Sequence, residues 1–321
     1  MSDPQRLVIT GATGFIGSAV VAELARFRDG AETGSRGFVL RAVGRRPSRE
    51  AGLADEWFRA DLADPESLRE CCAGADVLLH LASRIGSDER ECDSVNVRGT
   101  AALMAEAEAA GVRRIVHLST SAVYGQGPHR GISVDAVVPA PVSAVSRSRL
   151  AGEGPALAAG AVVLRPGLVI GPGDRWVVPS LAQILGSTGA LWGGAGALLS
   201  AVAVGDLARL VARLALGGGP AGGSVWNASH PVPVRAVELV RAFTDRGVLP
   251  PVEQELPEAE FLERMAASGC RVSPSQFRLV AQDHWYDSAG IWEAADCPPG
   301  PGPLAHLDEA ALWYREYLAR A

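Results

Sequence analysis

Arg6-Leu-Val-Ile-Thr10 runs directly into Gly11-Ala12-Thr13-Gly14-Phe15-Ile16-Gly17. A short apolar run ending in glycines spaced by two residues each is the grammar of a strand, a tight turn and a helix. Gly11 permits the turn, Gly14 lets backbone amides approach a pyrophosphate, and Gly17 lets the helix pack on the strand. The helix N-terminus adds amides and a partial positive charge suited to phosphate. After the turn, Phe15, Ile16, Val20, Val21, Leu24 and Ala25 recur at helical spacing to about Phe27. The strand before and the helix after set this apart from a purely structural glycine triplet. The reading is a dinucleotide site that uses Gly11, Thr13, Gly14, Phe15, Ile16 and Gly17.

Outward from this unit the alternation continues. Strands are expected at 38–43, 57–60, 76–81, 114–118 and 161–165, and helices from about 64, over 94–110 and over 143–159. The polar, glycine-rich stretch 29–37 reads as a loop, and Gly44-Arg45-Arg46-Pro47 breaks the second strand. This order predicts an α/β fold: a Rossmann-type doubly wound parallel sheet with a smaller, mixed substrate-binding lobe. Residues 1–166, with roughly 200–228, form the expected dinucleotide-binding domain. Residues 167–199 and 229–321, where glycine and proline cluster, form the lobe; after Pro166 short helices are expected at 177–185, 204–216, 234–246 and 308–319. Ligands in such folds sit beyond the carboxyl ends of the strands.

Composition excludes several classes. The formal net charge is −6, without the basic stripe a nucleic-acid surface needs. All thirty basic residues are arginine; there is no lysine, so no ammonium can serve in any site. The five cysteines, Cys71, Cys72, Cys92, Cys270 and Cys297, form no Cys-x-x-Cys pair and no zinc pattern, and read as structural thiols. No apolar run is long enough to span a bilayer and no signal peptide is evident, so a cytoplasmic location is expected.

The end of the second strand discriminates between dinucleotides. An acid there hydrogen-bonds the ribose 2′-hydroxyl of NAD, whereas arginine accommodates the 2′-phosphate of NADP. Here Gly44 is followed by Arg45 and Arg46, whose guanidinium forks suit phosphate. The expected cofactor is NADP(H).

Several segments in order resemble the extended short-chain dehydrogenase/reductase family, in its nucleotide-sugar epimerase, dehydratase and ketoreductase branch. They are the glycine turn, Asp61-Leu62, His80-Leu81-Ala82-Ser83, Asn96-Val-Arg-Gly-Thr100, Leu118 to Gly125, Leu164-Arg165-Pro166, Gly171-Pro-Gly-Asp174, and Val204-Gly-Asp206-Leu-Ala208. The resemblance implies that Asp61 and Leu62 lie near the adenine. It places Leu81, Ala82 and Ser83 under the nicotinamide half, with Pro166 also at the cofactor. It implies that Thr120 is the catalytic Ser/Thr, with Ser83 and Ser121 beside the substrate, and that Asn96 organises its helix. Arg175 is implied as a diphosphate contact. The segment Ala190 to Gly194 is implied to approach base and diphosphate, with Trp192 either stacking on a base or filling core. Relatives often dimerise through two helices, here 94–110 and 143–159; internal helix–sheet packing explains those alanine-rich faces equally well.

The family's Tyr-x-x-x-Lys pair is missing. The matching segment, Pro141 to Glu153, places Val145 at the tyrosine and Arg149 at the lysine. A positioned acid/base contributes roughly 10²–10⁴-fold, while hydride transfer and orientation supply the rest. A reductase survives such a loss with water or a weaker hydroxyl as proton source; an epimerase or dehydratase, which must first oxidise an alcohol, does not. Candidates for the replacement are Thr120, Ser143 and Tyr124, with His129 in a nearby loop. Arg149 stays protonated and can bind ribose hydroxyls or hold charge.

The expected activity is NADPH-dependent reduction of a nucleotide-linked keto-deoxysugar, C4 of a dTDP-4-keto-6-deoxyhexose being the first choice. That substrate follows from the resemblance and not from the residues. Two alternatives stand beside it: a reductase or epimerase of another carbonyl, such as a sterol or flavonoid-type ketone, and a catalytically silent NADP(H)-binding regulator.

Overall fold

The computed structural model describes residues 4–29, 37–47, 50–217, 219–252 and 254–320. Most of the loop expected at 29–37 lies outside them. Seven parallel strands form the main sheet: β1 (Gln5–Thr10), β2 (Phe38–Gly44), β3 (Glu56–Arg59), β4 (Val77–His80), β5 (Arg114–Leu118), β6 (Val162–Arg165) and β7 (Ser224–Asn227), in spatial order β7-β6-β5-β4-β1-β2-β3. The expected doubly wound α/β architecture is present. The order reverses at β1 and β4, which opens a crevice at the carboxyl ends where a ligand fits.

Period-two alternation divides the strand side chains between two cores. Leu7, Ile9, Val77, Leu79, Val116 and Leu164 face one side, where α1 (Phe15–Asp29) brings Val20, Val21 and Leu24. Val8, Leu78, Ile115 and Val163 face the other. There they meet Leu103, Met104 and Ala107 of a helix over Thr100–Ala109 and Ala156 of a helix over Ala144–Ala158. Cys71, Cys72, Cys92 and Cys297 are buried and Cys270 half-buried, all as free thiols.

The helix expected over 94–110 is composite. A short α2 (Glu89–Asp93) leads into a π-helical segment, Ser94–Gly99, before α3 (Thr100–Ala109). Two close approaches accompany that wide turn. A Cβ on Gly99 would lie 2.4 Å from the Leu62 carbonyl oxygen, and one on Gly152 would lie 2.2 Å from that of Asn96. Residues after Pro65 form one 3₁₀ turn, not a full helix. The helix carrying Val145 and Arg149 is α4 (Ala144–Ala158).

The rest of the chain builds the mixed part. A four-stranded sheet joins short strands at Val234–Arg235, Leu198–Leu199, His284–Tyr286 and His129–Ile132. Around it lie α5 (Val177–Thr188), α7 (Ala236–Thr244), α8 (Glu258–Ala267), α9 (Pro274–Ala281) and α11 (Leu307–Leu318). Together they enclose a separate core centred on Trp192, Phe243, Phe261, Phe277 and Tyr314. The helix α6 (Val204–Leu216) packs on α1 in the main core, which also takes in Ile291 and Trp292 of α10 (Ala289–Ala294) and the following Cys297. A boundary by residue number is therefore not clean at the C-terminal end.

Candidate active site

Because the strands are parallel and in register, Gly11, Arg45, Asp61, Leu81, Thr120 and Pro166 all emerge at one edge of the sheet. Pairings of Thr10 with Val43 and His80, of Gly44 with Arg59, and of Leu118 with Leu164 fix this alignment. The predicted cofactor residues thus lie along the sheet edge that contains the switch point.

The glycine turn discriminates among its own glycines. Gly11 has φ +75°, and a Cβ there would stand 2.7 Å from the Ala82 amide nitrogen. A Cβ on Gly17 would fall 1.9 Å from the Gly11 carbonyl oxygen. Both glycines are demanded by the fold itself. Gly14 differs: it is exposed, and its Cβ would meet only the Gly11 oxygen, at 3.3 Å. The space above Gly14 and the exposed Thr13, at the N-terminus of α1, is a cradle that a side chain would fill. The residues present therefore fit a dinucleotide phosphate. Phe15 and Ile16 are half-buried beneath it. Arg45 and Arg46 are exposed directly after β2, and Asp61, whose carboxylate accepts from the Ala63 amide at 3.0 Å, follows β3 next door.

On the strand-four side, Leu81 is buried and Ala82 and Ser83 are half-buried. Asn96 holds the far end of this loop. Its side-chain oxygen accepts from the Arg84 amide at 2.7 Å, and its side-chain nitrogen donates to the Arg84 carbonyl at 3.0 Å and to the Ser148 hydroxyl at 2.9 Å.

Thr120 lies half-buried just past β5, capping a one-turn helix over Ser121–Tyr124, and its hydroxyl accepts from the Ala122 amide at 3.2 Å. That leaves its own proton free to donate. Val145, in the first turn of α4, is half-buried and offers only methyl groups. Arg149 donates from Nη2 to the carbonyls of Leu118 at 2.8 Å and Ser119 at 2.6 Å. Burial lowers its pKa to about 10 despite the opposing pull of Glu153. It remains a cation at neutral pH and ties α4 to the strand end beneath Thr120.

Ser143 is exposed and spends its hydroxyl on α4, accepting from the Ser146 amide at 3.0 Å in a capping box. Ser121 is buried, with its amide donating to the Pro166 carbonyl at 2.8 Å; Pro166 is itself buried. Arg175 is exposed in the loop before α5. That loop abuts the cofactor turn, since a Cβ on Gly173 would lie 2.8 Å from the Phe15 ring.

Three candidates take the structural one of the roles open to them, or lie buried away from the open face. Tyr124 is 2% exposed, donates to the Asn227 side-chain oxygen at 2.7 Å, and stacks on Tyr286 with ring centroids 5.0 Å apart. Burial raises its pKa, so it is a packed structural phenol and not a proton donor at the open face. Trp192 is wholly buried, between Phe261 and Phe277 at centroid distances of 5.9 and 5.4 Å; it fills core and cannot stack on a base. His129 is buried, and desolvation lowers its pKa.

Sequence reasoning passed over a buried ion pair under the site. Arg165 donates to Glu153 at 3.0 and 2.6 Å, and Ser119 donates to the same carboxylate. The signal was present, since an acid four residues after Arg149 on α4 must face the sheet. Gly194 lines an open groove of about 390 Å³ with Pro128, Arg130, Ala197, Gln282 and Asp283. Arg130, the one cation among the lining residues, pairs with Asp283 at 2.7 Å. Among the described residues no cluster suits a metal ion, and no helix is long and apolar enough to cross a membrane.

Comparison with known proteins agrees with this geometry. Residues 7–227 match the model of the NAD dependent epimerase/dehydratase family. Over 127 residues the chain is 39% identical to sterol demethylase protein B of Methylococcus capsulatus, covering 38% of this chain and 36% of that protein. Over 192 residues it is 31% identical to the 2-alkyl-3-oxoalkanoate reductase of Stenotrophomonas maltophilia, covering 56% and 55%. The chain thus spans about half or less of the length of these relatives. Among solved structures, MoeE5 in complex with UDP-glucuronic acid and NAD aligns over 97% of this chain and 99% of its own, with 25% identity and a TM-score of 0.74. With its glycine cradle at the switch point and two-thirds of its length matched, the chain belongs to the NAD dependent epimerase/dehydratase family.

Proposed function

We propose that this protein reduces a ketone with NADPH, without the tyrosine that normally handles the proton. One observation supports the reading: Val145, at the position where the resemblance puts the acid/base, offers only methyl groups, while the Thr120 hydroxyl past the end of β5 accepts from the Ala122 amide and keeps its own proton to donate. The cradle over Gly14 holds the pyrophosphate, Arg45 and Arg46 take the 2′-phosphate, and Leu81 to Ser83 with Pro166 frame the nicotinamide half. When bound, the dinucleotide supplies hydride. Thr120 polarises the substrate carbonyl and passes it a proton drawn from water. Arg149 fixes the backbone of Leu118 and Ser119, and so the place of Thr120, and adds positive charge near the developing alkoxide.

For the substrate, the first reading is a dTDP-linked 4-keto-6-deoxyhexose reduced at C4, with Arg175 on the diphosphate. A second reading is an apolar ketone of sterol or 3-oxoacid type. It is favoured by the pairing of Arg130 with Asp283, by the burial of Trp192, and by the names of the two curated relatives. Neither leaves the regulator alternative any support beyond the missing acid/base pair.

NADPH oxidation measured against nucleotide-linked keto sugars and against 3-oxoacids and 3-ketosteroids separates these readings. Turnover is expected on one group, with Thr120→Ala lowering kcat about 100-fold and Tyr124→Phe leaving it nearly unchanged. Tight NADPH binding without turnover on any carbonyl, or full activity in Thr120→Ala, would overturn the proposal.

A further inference from the structure

One imidazole joins the glycine turn to the strand-four loop. His80 ends β4 and is wholly buried; its Nδ1 lies 2.8 Å from the Thr10 hydroxyl and its Nε2 lies 2.9 Å from the Thr100 hydroxyl. The directions follow by elimination. Thr100 donates its only hydroxyl proton to the Asn96 carbonyl, at 2.8 Å. It must therefore accept from His80, which places the ring proton on Nε2. Nδ1 then accepts from Thr10, whose oxygen in turn accepts from the Ala82 amide at 3.4 Å.

The result is a single directed chain: Ala82 amide to Thr10, Thr10 to His80, His80 to Thr100, Thr100 to the Asn96 carbonyl. It begins at the near end of the loop Leu81 to Arg84. It ends at the residue whose side chain grips the far end, through both backbone polar groups of Arg84. Desolvation, aided by Arg149, lowers the His80 pKa to about 3. His117, from β5, stacks on the ring at 4.9 Å and is held neutral by the same burial. His117 thus offers no charge that would reorient the imidazole, and the Arg149 cation only disfavours a second proton on the ring.

We propose that His80, bridged between Thr10 and Thr100, is a positioning residue that sets the loop Leu81 to Arg84 for the nicotinamide half of the cofactor. The inference rests on the reading that this site takes a nicotinamide dinucleotide. Thr10 leads into the turn that holds Gly14, but Arg45 and Asp61 lie on other loops, and Thr100 and Asn96 serve the strand-four side alone. Cutting the hydrogen-bond chain therefore loosens one half of the cofactor and spares the other.

The test uses the intact protein and two ligands: NADPH, and 2′,5′-ADP, which carries only the adenosine half. Thr10→Val and Thr100→Val keep the side-chain shape and remove the hydroxyls. Each is expected to weaken NADPH binding about tenfold, the worth of one hydrogen bond, while 2′,5′-ADP binding stays within about twofold. Thr100→Ser is expected to restore NADPH binding. The double valine variant is expected to be little worse than either single one, because both cut the same chain. Asn96→Ala, which releases the other end of the loop, is expected to show the same selectivity and guards against misfolding of the valine variants. Equal loss of both ligands, or unchanged NADPH binding, overturns the role of His80 and leaves the cofactor reading intact. If the wild-type protein binds neither NADPH nor NADH, the cofactor reading fails and the inference with it.

Discussion

Glu153 and Arg165 face each other inside the protein as a bidentate pair at 2.6 and 3.0 Å, with side chains only 3% and 6% exposed. The pair joins α4 to the end of β6, and the Arg165 guanidinium also lies 5.0 Å from the centre of the Tyr124 ring. Removing one partner leaves the other charge buried and alone. Arg165→Met is expected to cost about 3–5 kcal/mol, read as a lowered midpoint in denaturant unfolding. Replacing both residues with apolar side chains of similar volume should recover most of that loss. A single variant as stable as the wild type would show that the pair contributes little.

The glycine turn separates folding from binding. Gly17→Ala places a methyl group 1.9 Å from the Gly11 carbonyl oxygen, which only backbone movement can relieve. It is expected to lower the unfolding midpoint and abolish dinucleotide binding together. Gly14→Ala meets one atom at 3.3 Å in otherwise open space. It should keep the wild-type unfolding midpoint and still lose at least tenfold in NADPH affinity, as one blocked hydrogen-bonded approach implies. Undiminished binding in Gly14→Ala would remove the phosphate from that cradle.

Arg45 stands exposed at the end of β2, where charge decides between a ribose hydroxyl and a phosphate. Arg45→Asp is expected to reverse the ratio of NADPH to NADH affinities in favour of NADH. Fluorescence titration with both dinucleotides reads the change. Unaltered affinities would place the 2′-phosphate elsewhere.

Stability should fall in mild acid. His80 and His117 are both held neutral in the folded protein, the first with a pKa of about 3 and the second well below its ordinary value. An unfolded histidine takes up a proton near pH 6.5. Below that pH the unfolded chain binds more protons than the folded one, so the stabilisation is complete above about pH 6.5 and drains away towards pH 3. Each histidine contributes a slope of up to about 1.4 kcal/mol per pH unit. Urea unfolding at pH 7.5, 6 and 5 checks this, and His117→Leu should flatten the dependence. An identical slope in that variant would exclude His117 as a source.

The sequence made the nucleotide-binding half legible because its signals are local. Thr10 followed by three spaced glycines, and strand-length apolar runs closed by glycine or proline, need no knowledge of distant contacts. The second half was less legible. Helices at Glu258–Ala267, Pro274–Ala281 and Ala289–Ala294 are short, and their buried residues (Phe261 and Met265, or Phe277 and Val280) are too few to set a period. Sequence left Trp192 open between a ligand platform and core filler because it cannot show that the distant Phe261 and Phe277 close over it. His80 lies in one of the family-like segments, but its role is not legible in sequence because its partners lie seventy residues before it and twenty after it.

Val145 has a consequence for reversibility. A side chain without an ionisable proton lowers the barrier for neither reduction nor oxidation, and the equilibrium between ketone and alcohol does not depend on the catalyst. In the proposed reaction the loss therefore slows both directions by one common factor, and a preference for reduction has to come from the reduced dinucleotide that Arg45 and Arg46 are proposed to hold. Direction is then set by the ratio of reduced to oxidised dinucleotide and by the pH of the surroundings. On the proposed function the reaction would follow the redox state of its surroundings, with its proton drawn from water by way of Thr120.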